Sequence, residues 1–209
     1  MIILHFQVKN VRSIRIESHY NVSMSAKTLD ETYISVDIET AGPNPSQYSL
    51  LSIGACSVMD PGNNFYIELQ PVNDEMLPET YAVHRLSLDD LKSNGVPPLE
   101  AMARFDSWLN RVTPPGRKPV FVAFNAPFDW MFISDYFYRY LKFNPFGHAA
   151  LDIKAFYMGL HRSSWKDTAM SKVSEIYLDG KQISHNALED ALDQAQIFSR
   201  LYTEGRNRS

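Results

Sequence analysis

An α/β fold, in which helices cover a mixed β-sheet, is predicted by three features of the chain. Three apolar runs joined by short turns occupy residues 33–70. Helical periodicity takes over after Pro98, and a further apolar run at 120–124 is set between helices. Strands first, then helices alternating with further strands, is the order of a mixed sheet flanked by helices.

Residues 1–31 join poorly to the rest of the chain, with a weak alternation at Val11, Ile14 and Ile16 and scattered charge. Two readings stay open for this extension. It is an extra edge strand or hairpin, or a loosely attached leader with Met24 as the start. A single domain is expected over 32–204, and a frayed tail over 205–209.

The first strand covers about 33–39, where Ile34, Val36 and Ile38 fall on one face and Ser35, Asp37 and Glu39 on the other. Gly42-Pro43-Asn44-Pro45-Ser46 is a turn by composition. A second strand spans about 50–59, and Asp60-Pro61-Gly62-Asn63 reads as a turn into a third at about 64–70. Short turns between three consecutive strands predict an antiparallel meander.

Pro98 suits a first helical turn, and Met102, Phe105, Leu109 and Val112 then recur at spacings of three and four, marking one buried face. Pro114-Pro115-Gly116 stops that helix. Val120-Phe121-Val122-Ala123-Phe124 fits a strand buried on both faces. An aromatic-rich helix is expected at about 127–141, a short one at Leu151–Leu160 and a last one at 187–202.

Length and composition exclude several classes. At 209 residues the chain suffices for one domain with a full core. Apolar content of 44% and charged content of 21% are those of a soluble globular protein. No stretch approaches the roughly 20 apolar residues of a membrane span. A signal core is also lacking, so a cytoplasmic location and no membrane partner are expected. The lone Cys56 excludes an internal disulfide and a cysteine zinc site, and reads as inert packing. The net charge of −4 argues against a nucleic-acid binder on charge alone. That argument weakens if bound divalent ions cancel some of the acids.

Asp37 and Glu39 are like charges on one face at a strand end, and their repulsion calls for a cation. Asp129, in Asn125-Ala126-Pro127-Phe128-Asp129, stands in a first helical turn, where the helix dipole should keep it ionised. In His185-Asn186-Ala187-Leu188-Glu189-Asp190, Asn186 is a good N-cap with Glu189 in the capping-box position. His185 then precedes the helix on a loop, and Asp190 lies about one turn inside. Ala187, Ala191 and Ala195 form a small-residue stripe that lets this helix approach the sheet. Singly, each of these residues reads as ordinary helix or surface chemistry. Together they are four carboxylates and a base, an oxygen-rich set suited to Mg²⁺ or Mn²⁺ rather than zinc.

These blocks resemble the DEDDh (DnaQ-like) 3′→5′ exonucleases, the group that holds the proofreading subunit of bacterial replicative polymerase, RNase T and oligoribonuclease. The first motif is similar to Val36-Asp37-Ile38-Glu39-Thr40-Ala41-Gly42, the second to Asn125 through Asp129, and the third to His185-x-x-x-x-Asp190. The resemblance implies a ribonuclease H-like fold with a five-stranded sheet. It implies metal-ligand roles for Asp37, Glu39, Asp129 and Asp190, two Mg²⁺ or Mn²⁺ ions, and a general-base role for His185. It also implies hydrolysis of single-stranded DNA or RNA from the 3′ end to nucleoside 5′-monophosphates. Thr40, Gly42, Asn125 and Phe128 become candidate substrate contacts, Gly42 because backbone there would approach the terminal nucleotide. A homodimer and association with a polymerase are open partner expectations.

One departure stands out: many relatives have a histidine where this chain has Phe124, which bears on substrate preference. Two alternatives are a catalytically silent nucleic-acid-binding module and a ribonuclease H-type endonuclease. All five site residues being present argues against the first, and the His-x-x-x-x-Asp block against the second. Asp152 is read first as a helix cap, and His84 as structural. Phe124 and the Tyr136–Tyr140 aromatics are weighed as base-stacking groups against the commoner reading of core.

Overall fold

The computed structural model describes residues 30–181 and 184–208; of the extension expected over residues 1–31, residues 1–29 lie outside them, and Glu31 opens the first strand. Its spine is β1 (Glu31–Thr40), which pairs antiparallel with β2 (Leu50–Ser57) and parallel with β4 (Lys118–Ala123). β3 (Asp60–Glu68) and β5 (Ala150–Asp152) complete a five-stranded sheet in the order β3-β2-β1-β4-β5. The three-strand meander and the mixed sheet are as the sequence predicts.

The period of two along β1 divides the core. Ile34, Val36 and Ile38 face one layer, packing with Met102, Phe105 and Trp108 of α3 (Pro98–Val112) and Phe132 of α4 (Ala126–Tyr136). Tyr33 faces the other, with Tyr157 of α5 (Ile153–His161), Val173 of α6 (Met170–Tyr177) and Phe198 of α7 (Ala187–Asn207). Full burial of Ile197, Phe198 and Leu201 on α7 contributes about 1.5–3 kcal/mol each.

Several boundaries differ from the sequence reading. β3 starts at Asp60, because the register slips between Cys56, opposite Asn64, and Ser57, opposite Asp60. The turn-forming run therefore bulges within the strand pair, held by Asn63 Nδ2 donating to Asp60 Oδ2 at 2.6 Å. Leu151 and Asp152 form β5 beside β4, so the expected helix begins at Ile153. The aromatic helix ends in a π turn at Phe137–Leu141. Where a frayed tail was expected, α7 continues to Asn207; Arg208 donates to the Leu160 carbonyl at 2.7 Å and pairs with Glu204. Two helices of about two turns, α1 (Pro78–His84) and α2 (Leu88–Asn94), and also α6, were not legible as helices. No described helix is long and apolar enough to cross a membrane.

Candidate active site

β1 outruns its parallel partner. The β1–β4 ladder ends at Ser35 opposite Val122, and β4 turns into α4 through Asn125 in the left-handed region at φ 66°. The carboxyl end of β1 is thus open on that side, the usual place for a ligand in a sheet whose neighbours diverge. Asp129, near the start of α4, fills the gap and accepts hydrogen bonds from the backbone of Ile38 and from its own N–H.

The second delivery comes from α7. Asp37 stands opposite Gly54 across the β1–β2 ladder. A Cβ on Gly54 would lie 2.1–2.3 Å from the backbone of Ala187 and Leu188. Only glycine lets the start of α7 settle there, and the buried stripe Ala187, Ala191 and Ala195 continues the close approach. Asn186 caps the helix, its Oδ1 accepting from the N–H groups of Leu188 and Glu189. The capping box closes on one side only, since the N–H of Asn186 donates to Ser184 Oγ instead of to Glu189.

Asp190 reaches the β1 acids from α7. Glu39, His185 and Asp190 bring ligand atoms within 4.8 Å of one another. Asp37 and Asp129 adjoin that group, close enough for each of the other three acids to raise the pKa of Asp37. Asp190 is itself pinned, accepting from the N–H and Oγ of Ser184 at 2.9 and 3.0 Å and from the N–H of His185 at 3.0 Å. The His185 residue is exposed, with φ 57°.

The electrostatics are those of a crowded anionic pocket. Burial first, and then Asp129, Glu39 and Asp190, pushes Asp37 well above the usual carboxylate range. Burial and the charges of Asp190 and Asp129 move Glu39 up to about 8. Asp190 is also raised, mainly by burial, against the hydrogen bonds it accepts. Burial likewise raises Asp129, to about 8, against the hydrogen bonds it accepts from its own N–H and that of Ile38. Four acids that cannot all ionise without a counter-charge form a donor set that fits a hard divalent cation.

Two clefts flank the acids. One, of about 290 Å³, is lined by Glu39, Thr40, Val83, His84 and Phe128. His84 is buried, its Nδ1 accepting from the N–H of Leu86 at 2.9 Å, and burial lowers its pKa. Phe128 packs on Phe132 with ring centroids 5.6 Å apart and leaves part of its surface to the cleft. The other, of about 100 Å³, lies on the α7 side and is lined by Asp37, Phe124, Lys181, Asp190 and Gln194 among others.

The remaining candidates divide. Thr40 is buried, and its hydroxyl donates to the Gly42 carbonyl at 2.9 Å. A Cβ on Gly42 would sit 2.4–2.6 Å from the ring of Tyr48, so packing under Tyr48 already requires glycine there. Asp152 caps α5, as expected, and the same Oδ1 accepts from the N–H of Asn125 at 3.1 Å. Asn125 contributes this backbone turn; its side chain is not used as a cap. Tyr136 is core, its hydroxyl accepting from the N–H of Leu50 at 2.8 Å, which removes it from the stacking candidates. Cys56 is buried with its thiol pushed up to about 12, as inert packing requires. Sequence reasoning missed Gln194, whose signal was its place one turn after Asp190 on the same helix face.

The family and the relative that this chain matches make it a 3′-5′ exonuclease, a hydrolase. Residues 32–202 match the 3′-5′ exoribonuclease Rv2179c-like domain, and the chain belongs to that family. It is 44% identical over 172 residues to the 3′-5′ DNA exonuclease Cap18 of Escherichia coli, covering 82% of this chain and 92% of that one. Among solved structures, the nuclease domain of 3′hExo, a DEDDh family member bound to rAMP, superposes with a TM-score of 0.69 at 13% identity. That match covers 86% of this chain and 94% of the other. E. coli Exonuclease I in complex with a dT13 oligonucleotide gives a TM-score of 0.65 at 16% identity, covering 85% of this chain and 42% of that one.

Proposed function

We propose that this protein hydrolyses single-stranded nucleic acid from its 3′ end, releasing nucleoside 5′-monophosphates. In this reading Asp37, Glu39, Asp129 and Asp190 hold two Mg²⁺ or Mn²⁺ ions, and His185 is the general base. The observation that carries it is the meeting of Glu39, His185 and Asp190 within 4.8 Å beside two further acids whose charges cannot coexist unneutralised. When bound, a pair of such ions neutralises charge on the phosphate and favours in-line displacement.

The chain's own residues do the rest. His185 is exposed on a short loop while its backbone is tied to Asp190, which holds the imidazole at the rim of the acid cluster. There it accepts a proton from the attacking water as the oxygen–phosphorus bond forms. The bond from phosphorus to the neighbouring 3′ oxygen breaks, and that oxygen takes a proton from solvent to become the new 3′-hydroxyl of the shortened strand. The cleft beside Glu39 takes the terminal nucleoside, with Phe128 as the stacking face and Thr40 and Val83 as walls.

The family is named for an exoribonuclease and the E. coli relative for a DNA exonuclease, so both polymers belong in the test. Matched 5′-labelled DNA and RNA oligomers are incubated with Mg²⁺ or Mn²⁺, with the 3′ end free, blocked or closed into a circle. The expected result is stepwise shortening of a free-ended strand with mononucleotide release, while blocked and circular strands persist. Cutting of circles would make the protein an endonuclease. Binding without cleavage of any strand would make it a silent module.

A further inference from the structure

Gln194 is 3% exposed, one turn beyond Asp190 on α7. Its Oε1 accepts from the N–H of Phe124 at 2.8 Å, and its Nε2 donates to Asp37 Oδ1 at 2.6 Å. A backbone N–H can only donate, so the amide has one orientation here, with oxygen toward Phe124 and nitrogen toward Asp37. One side chain thereby links the three acid-bearing regions: β1 through Asp37, the turn into α4 through Phe124, and α7 itself. The next N–H along, that of Asn125, is held by Asp152 at 3.1 Å, so both amides leaving β4 are anchored by side chains.

The bond to Asp37 matters because of what surrounds it. Glu39, Asp129 and Asp190 all act on Asp37 with the same sign of charge. The Gln194 amide meets that carboxylate with an N–H donor at 2.6 Å, which fixes the orientation of Asp37 Oδ1 among the three neighbouring acids. An apolar side chain would suit a helix face packed on a sheet. A buried amide with both ends satisfied is a costlier choice that fixes one geometry.

We propose that Gln194 is a positioning residue for the phosphodiester hydrolysis: it orients the Asp37 carboxylate for a divalent ion and keeps the turn carrying Asp129 in register with β1. This rests on the exonuclease reading above. Groups that orient metal ligands are worth about 10–100-fold in metal affinity or activity.

Two variants test it. Gln194→Glu keeps an acceptor for Phe124 but turns an oxygen, not a donor, toward Asp37. Gln194→Met removes both bonds at similar volume. Calorimetric titration with Mn²⁺ in the absence of substrate should show affinity lowered about 10–100-fold in the Met variant. On a free-ended oligomer, kcat should fall by a similar factor in both variants, with KM changed less than about threefold, as for an interaction realised in the transition state. Wild-type kcat in the Glu variant overturns the proposal, as does wild-type Mn²⁺ affinity in a folded Met variant. If the Met variant does not fold, the Glu variant decides by kcat. Should the unaltered protein itself neither bind Mn²⁺ nor shorten the oligomer, it is the exonuclease reading that falls.

Discussion

Asp129→Asn should stabilise the metal-free protein while stopping turnover. Burial lifts this carboxyl from its ordinary 3.8 to about 8 in the folded chain. At pH 7 the unfolded chain releases a proton that the folded one must retain. With about 1.4 kcal/mol per pH unit between 3.8 and 7, the ceiling of that penalty is about 4 kcal/mol. Because Asp37, Glu39 and Asp190 share the protons, the gain expected from one neutral amide is about 1–3 kcal/mol. The sign follows from the direction of the shift. An acid whose folded pKa is raised supports the fold below its unfolded pKa and loses that support as pH rises through the folded value. The wild type in EDTA should therefore lose stability between about pH 4 and pH 8, the window set by Glu39 and Asp129. Urea denaturation followed by tryptophan fluorescence at pH 5 and pH 8 measures it. The Asn variant should be the more stable at pH 8, with the gap narrowing at pH 5, and Mg²⁺ should stabilise the wild type far more than the variant. A variant no more stable than wild type at pH 8 in EDTA would refute the argument that burial makes the ionised Asp129 carboxylate costly in the fold.

Three further perturbations probe separate links. His185→Ala should lower the single-turnover rate about 10²–10⁴-fold without moving the melting temperature, since the residue is exposed; a loss under about tenfold would remove it as the base. Gly54→Ala should cost about 1–3 kcal/mol or more in urea denaturation and abolish activity, because the added methyl would meet the backbone of Ala187; wild-type stability would contradict the close approach of α7. Phe128→Ala should raise KM about tenfold on single strands through loss of one stacking contact of about 1–3 kcal/mol, with a smaller effect on kcat; an unchanged KM would place the terminal base elsewhere.

Much of the site was legible because its parts are local. The alternation through Ile34, Val36 and Ile38 assigns Asp37 and Glu39 to the opposite face with no knowledge of the partner strands. Asn186 announces the start of α7, and the alanine stripe announces which side of it meets the sheet. What was not legible depends on distant contacts. The burial that raises Asp129 is set by the folded surroundings and not by its place at a helix start. Gln194 looks like any polar helix residue until Phe124 and Asp37 arrive beside it. Gly42 is explained by Tyr48, six positions on, folding back over it. Asp60-Pro61-Gly62-Asn63 has turn chemistry, and a bulge uses the same chemistry inside a strand pair.

The convergence of the four carboxylates on divalent ions is tested most directly by anomalous diffraction from crystals grown with Mn²⁺ and a nucleoside 5′-monophosphate. The account predicts manganese peaks within coordination distance of Asp37, Glu39, Asp129 and Asp190, with the nucleoside in the cleft of Thr40, Val83 and Phe128. Mn²⁺ bound elsewhere, with that corner of the molecule free of metal at saturating concentration, would contradict it.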